Sequence, residues 1–139
     1  MSGFTVQITV KNLIEAFKHY ERAFGATIKW GQEVVNGDLV THKTAEAIMS
    51  HDPEKGDLIH LEIDVMGKTL ALAPMSCEIV KSNVMTLYLR FEDQESLGRA
   101  FKILRESGLG GDEVLSSAPW SEANAGVTDK YGVNWWLHI

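Results

Sequence analysis

The sequence predicts an α+β chain in which one βαβββ pattern is written twice. Three observations predict it. Two segments alternate apolar and polar residues with the period of a half-buried strand, each is followed by an amphipathic helical stripe, and the two stripes share one internal spacing.

In the first copy Phe4, Val6, Ile8 and Val10 share one strand face, and Thr5, Gln7 and Thr9 share the other. Asn12 is placed to cap the next helix, whose stripe is Leu13, Ala16, Phe17, Tyr20 and Phe24, and Gly25 stands where a left-handed stop belongs. Strand-like runs follow over 26–34, 58–65 and 68–73, with Met66-Gly67 as a tight connection between the last two. In the second copy 86–91 alternates, Asp93 is the cap, and Leu97, Ala100, Phe101 and Leu104 repeat the spacing of Leu13, Ala16, Phe17 and Tyr20 before Gly108. Its further strands are expected over 113–117, near 120–127 and over 133–139. Residues 35–57 are the least regular, with the turn signals Asn36-Gly37, Asp52-Pro53 and Lys55-Gly56 around a short helix at 44–49. The expected organisation is one domain over 1–139, built of module 1 (about 3–74) and module 2 (about 83–139).

Composition narrows the function. The chain has 139 residues, 45% of them apolar and 23% charged, enough for one core without a disulfide or metal to hold it. Cys77 is the only cysteine, so no disulfide forms within the chain, and with no leader-like segment a cytoplasmic location is expected. No apolar run approaches the roughly 20 residues of a membrane helix. With 13 basic against 19 acidic residues the formal charge is −6, which disfavours nucleic acid and mildly favours a cationic or neutral small ligand.

Three stretches carry a family resemblance: Glu15-Ala-Phe-Lys-His-Tyr-Glu-Arg-Ala-Phe-Gly-Ala26, Ile59-His-Leu-Glu62 followed by Gly67, and Val127-Thr-Asp-Lys-Tyr-Gly-Val-Asn-Trp135. With them the sequence resembles the vicinal-oxygen-chelate superfamily of glyoxalases, bleomycin-resistance proteins and extradiol dioxygenases, and within it the PhnB-like branch. The resemblance implies two βαβββ modules forming curved mixed sheets around a cleft, with helices on the convex side. It also implies a homodimer.

Strand alternation then assigns the cleft, because the apolar faces must meet the helices. The cleft face carries Thr5, Gln7 and Thr9, then His60, Glu62 and Asp64, then Thr69, Ala71 and Ala73, and in the second module Thr86, Tyr88, Arg90, Asn134, Trp136 and His138. Adjacent Trp135 and Trp136 must point to opposite faces, and Trp136 is assigned to the cleft. Trp120 follows Pro119 and is expected at the pocket mouth, or else in the core. Trp30 reads as structural, and Arg90 as an anchor for a ligand carboxylate or phosphate. His19 lies outside the apolar stripe and is expected in solvent, as are His42 and His51 in the irregular segment. Cys77 has no helix N-terminus, histidine or basic cluster beside it in sequence and is not expected to act as a nucleophile.

Metalloenzymes of the resembled superfamily carry ligands early on the first strand and on the last strand of each module. Here those positions fall on Thr5, Ala71, Thr86 and Trp136. Ala71 and Trp136 offer no donor and threonine hydroxyls are weak ones, so no cofactor is expected. The leading expectation is a metal-free small-molecule binding protein whose ligand meets Gln7, His60, Glu62, Tyr88, Arg90, Trp120 and Trp136. The alternative is an enzyme of the same fold, an isomerase, lyase or dioxygenase, using His60 and Glu62 with or without a divalent metal.

Overall fold

The alternating N-terminal segment forms strand β1 (Val6–Val10), and the stripe after it forms helix α1 (Leu13–Phe24). Asn12 caps that helix by accepting a hydrogen bond from the Glu15 amide, and Gly25 ends it in the left-handed region at φ 71°. The computed structural model describes residues 3–75, 78–80, 82 and 84–139, so Cys77 and part of the connection between the modules lie outside the described residues. The chain divides into two compact units, Met1–Ser76 and Cys77–Ile139.

In the first unit, α1 is followed by β2 (Thr27–Val35), β3 (Asp38–His42), helix α2 (Ala45–Met49), β4 (Gly56–Val65) and β5 (Lys68–Pro74). The sheet order is β1-β5-β4-β2-β3, with β1 parallel to β5 and every other pair antiparallel. Helix α1 lies on one face of it, and its buried Ala16, Phe17 and Tyr20 form a core with Leu61, Ile63, Leu70 and Leu72. Strand β3 is an element the expected pattern lacks. It forms because Asn36 and Gly37 both take positive φ, 53° and 83°, which is the turn that joins adjacent strands directly. Met66 and Gly67 make the same kind of turn between β4 and β5, at φ 52° and 84°.

The second unit repeats the plan with β6 (Leu87–Arg90), α3 (Gln94–Glu106), β7 (Gly110–Gly111), β8 (Ser116–Ala118), β9 (Ser121–Thr128) and β10 (Asn134–His138). The order is β6-β10-β9-β7, with β8 also pairing β9 and with β6 parallel to β10. Leu97, Ala100, Phe101 and Leu104 are buried as their counterparts in α1 are, here against Ala125, Trp135 and Leu137. The strand expected over 113–117 is instead two fragments, β7 and β8, and the segment between them has no alternation to hold it in the ladder. Among the described residues there are thus ten strands in two mixed sheets and three helices, an α+β fold. No helix among them is long and apolar enough to cross a membrane.

The expectation of solvent exposure is corrected for three histidines. His19 is buried at 5% exposure and packs beside Tyr20, with ring centroids 5.7 Å apart. It sits three residues after Ala16, and the covered face of α1 is wide enough to take in that neighbouring position. His42 and His51 are also largely covered, because both reach Glu33 on β2.

Candidate functional site

In the first unit the strand register sets out a row of side chains on the face opposite α1. Gln7 on β1 pairs with Ala71 on β5, Ala71 with Glu62 on β4, and Glu62 with Trp30 on β2. Gln7 and Glu62 therefore flank a small residue at two strand spacings, about 9.5 Å. One step along β4, the His60 Nε2–H donates to Glu62 Oε2 at 2.8 Å, with the two side chains 23% and 21% exposed. Because an ionised Glu62 can only accept, the shared proton belongs to His60 Nε2, and in the neutral ring Nδ1 is then the acceptor. The Trp30 ring lies 4.9 Å from that of His60. Trp30, assigned a structural role from sequence, thus belongs to the same cluster.

In the second unit the corresponding row runs from Tyr88 on β6 to Trp136 on β10 to Gly126 on β9, and the next row from Arg90 to His138 to Asn124. Gly126 matters because it has no side chain. A Cβ there would meet two ring carbons of Trp136 at 3.2 Å, so the indole lies directly over the strand. The Tyr88 and His138 rings lie 4.2 Å apart at a 41° tilt, and the Trp120 ring is 6.3 Å from Trp136 at a 34° tilt. Trp120 is 61% exposed, which excludes the core alternative. Among the described residues, His138 Nε2 is buried without a hydrogen bond and Arg90 has no ion pair. A recess of about 240 Å³ opens beside Trp136, lined by Thr86, Asp112, Gly126, Thr128 and Asn134. Asp112 and Gly126 have no sequence signal of their own, since their roles arise from what lies across the strand.

The Asp-Lys-Tyr-Gly turn owes its residues to Asp129, which is fully buried. Its Oδ1 accepts from the amides of Tyr131 and Val133 at 2.9 and 3.0 Å, and its Oδ2 accepts from the Trp135 indole N–H at 2.8 Å. Trp135 is thereby fixed in the core at 2% exposure, and Trp136 is turned to the opposite face.

A second cluster of titratable groups lies away from these rows. The His42 Nε2–H donates to Glu33 Oε1 at 2.8 Å, and the His51 Nδ1–H donates to Glu33 Oε2. Together they pin β3 and the turn after α2 onto β2. The His42 hydrogen bond, followed by that from His51, holds the Glu33 carboxyl below its ordinary value of 4.5, against the opposing effect of burial. The stabilisation from a lowered carboxyl is complete above that ordinary value and is lost as pH falls through the folded one. Glu33→Gln, which leaves one histidine donor facing an amide N–H, is expected to lower stability at pH 7 by about 1–3 kcal/mol. The difference from the unsubstituted protein should shrink below about pH 4, as read by urea denaturation at both pH values.

A hollow of about 760 Å³ in the first unit lies between the start of α1 and residues 49–59. Two of its polar groups are already engaged, Asn12 in the helix cap and His51 on Glu33. The sheet rows offer what the lining of this hollow lacks, the faces of tryptophan and tyrosine rings beside polar atoms.

Two of the four positions that the resemblance marks as metal ligands carry no donor atom. Ala71 presents a methyl group and Trp136 an indole without a donor lone pair, so the last-strand position of each unit does not fit a metal ligand. Among the described residues no three His, Cys, Asp or Glu side chains converge on a cation site.

The profile of the glyoxalase/bleomycin resistance protein/dioxygenase superfamily matches residues 4–137. The chain belongs to that superfamily. Its fold is also that of several solved structures. A PhnB protein from Bacillus cereus is 20% identical over 99% of this chain and 98% of its own, with a TM-score of 0.70. A protein from Pseudomonas aeruginosa is 18% identical over 99% and 97%, also at 0.70. The fosfomycin resistance protein FosX from Listeria monocytogenes is 11% identical over 99% and 93%, at 0.62. Among curated proteins no sequence relative matches. At these last-strand positions the chain carries alanine in one unit, Ala71, and tryptophan in the other, Trp136.

Proposed function

We propose that this chain is a metal-free small-molecule binding protein of the PhnB-like glyoxalase/bleomycin-resistance type. The observation that carries the reading is Trp136 laid over Gly126 with Tyr88 and Trp120 around it, an aromatic surface built where a metalloenzyme of the fold would need a ligand. A flat organic molecule gains contact area there, and Arg90 and His138 hold polar capacity for orienting it. On the first sheet Gln7, His60 and Glu62 offer a second group of directional contacts. A cytoplasmic homodimer fits this reading, since β1 and β6 end their sheets with one edge each and Phe4, Val84 and Met85 beside them are exposed at 93%, 85% and 67%. Light scattering on the purified protein should give twice the monomer mass.

The His60–Glu62 hydrogen bond favours one other reading, an isomerase, lyase or dioxygenase in which His60 Nδ1 takes a proton. A thermal-shift screen of small aromatic compounds with and without EDTA separates the binder from the metal-dependent form of that enzyme. Binding is expected to survive EDTA, and a hit at 100 times its Kd should add about 2.7 kcal/mol of stability. Stoichiometric zinc, nickel, manganese or iron in the purified protein, lost on His60→Ala together with compound binding, would refute the metal-free binder.

A further inference from the structure

The recess beside Trp136 has one charged wall. The Asp112 amide donates to the Gly126 carbonyl and the Gly126 amide donates to Asp112 Oδ2, both at 2.8 Å, so two bonds fix the carboxylate next to the residue over which the indole lies. The nearest cationic side chain in the hydrogen-bond network, Arg105, spends its Nε–H on the Asp112 main-chain carbonyl at 2.9 Å and forms no ion pair with the carboxylate. A fixed anion with no ion-pair partner among the described residues and an indole thus border one space of about 240 Å³. That volume admits a small alkylammonium group and little more. Two further polar wall groups are matched to each other, Thr128 Oγ1 donating to Asn134 Oδ1 at 2.7 Å, and the Thr86 hydroxyl is uncharged.

The geometry points to this recess as a cation subsite that takes an alkylated ammonium, held by the Trp136 ring and neutralised by Asp112. It rests on the reading of Trp136 as a ligand-binding surface and adds the charge class of the ligand to it. A cation over an indole is attracted by the electron-rich ring face, and a carboxylate at its side adds a Coulombic attraction, which is screened by solvent because Asp112 is exposed. The chain's charge of −6 raises the local concentration of such a ligand.

The probes are choline and its neutral isostere 3,3-dimethylbutan-1-ol, titrated into the intact 15N-labelled protein. Choline is expected to shift the Trp136 indole signal and the Gly126 amide at concentrations where the isostere does not. Asp112→Asn keeps an acceptor for the Gly126 amide and should weaken choline about tenfold, leaving the isostere unchanged. Choline should also weaken in 0.5 M salt, a readout that needs no variant. Equal binding of the two probes, no binding of choline, or an Asp112→Asn protein that binds choline as before would overturn the cation subsite. If aromatic hits from the screen still depended on Trp136 in that case, the binding reading would stand and only the charge class would fall.

Discussion

Asp129→Ala is expected to remove about 3–5 kcal/mol of stability, a large share of what a domain of this size possesses. The side chain is fully buried and accepts from two backbone amides of its own turn and from the Trp135 indole. Alanine supplies no acceptor to any of them, and each buried donor left without one costs about 1–3 kcal/mol. Asp129→Asn should fall between, because its carbonyl oxygen can still serve the two amides while its amide N–H meets the indole N–H donor to donor. Urea denaturation followed by circular dichroism orders the three proteins. A loss below 1 kcal/mol for the alanine variant would mean that the turn is held by its backbone alone.

Trp136→Ala is expected to weaken small-molecule hits by about 30-fold or more while leaving the fold intact, which is the behaviour of an aromatic anchor worth at least about 2 kcal/mol. Stability should change little, because Trp135 and Leu137, not Trp136, face the core of that sheet. Trp135→Ala makes the opposite case: it should destabilise by about 3–5 kcal/mol by opening the core. Isothermal titration on folded Trp136→Ala protein, checked by its denaturation midpoint, separates lost binding from lost structure. Unchanged affinity would remove the second sheet from the account.

The sheet faces were legible in the sequence because alternation alone divides Gln7 from Val6, His60 from Leu61 and Trp136 from Trp135, and the repeated helical stripe fixes which side is covered. The Glu33 cluster was not legible. His42 and His51 lie 9 and 18 residues from Glu33, and only the β2–β3 hairpin and the turn after α2 bring them to it. The broken strand after α3 escaped for the opposite reason, since Gly110 and Gly111 carry no side chains whose alternation could announce it. Asp112 and Gly126 acquire meaning only through the register of β9 with β10, which places a side-chain-free position under an indole.

The most direct measurement is a crystal structure of the protein with a hit from the EDTA screen. The expected result is a ligand stacked on Trp136, with polar contacts drawn from Tyr88, Arg90, Trp120 and His138 or from Gln7, His60 and Glu62. A ligand seated instead in the hollow between α1 and residues 49–59, or reaching the protein only through a metal held by its side chains, would contradict the account.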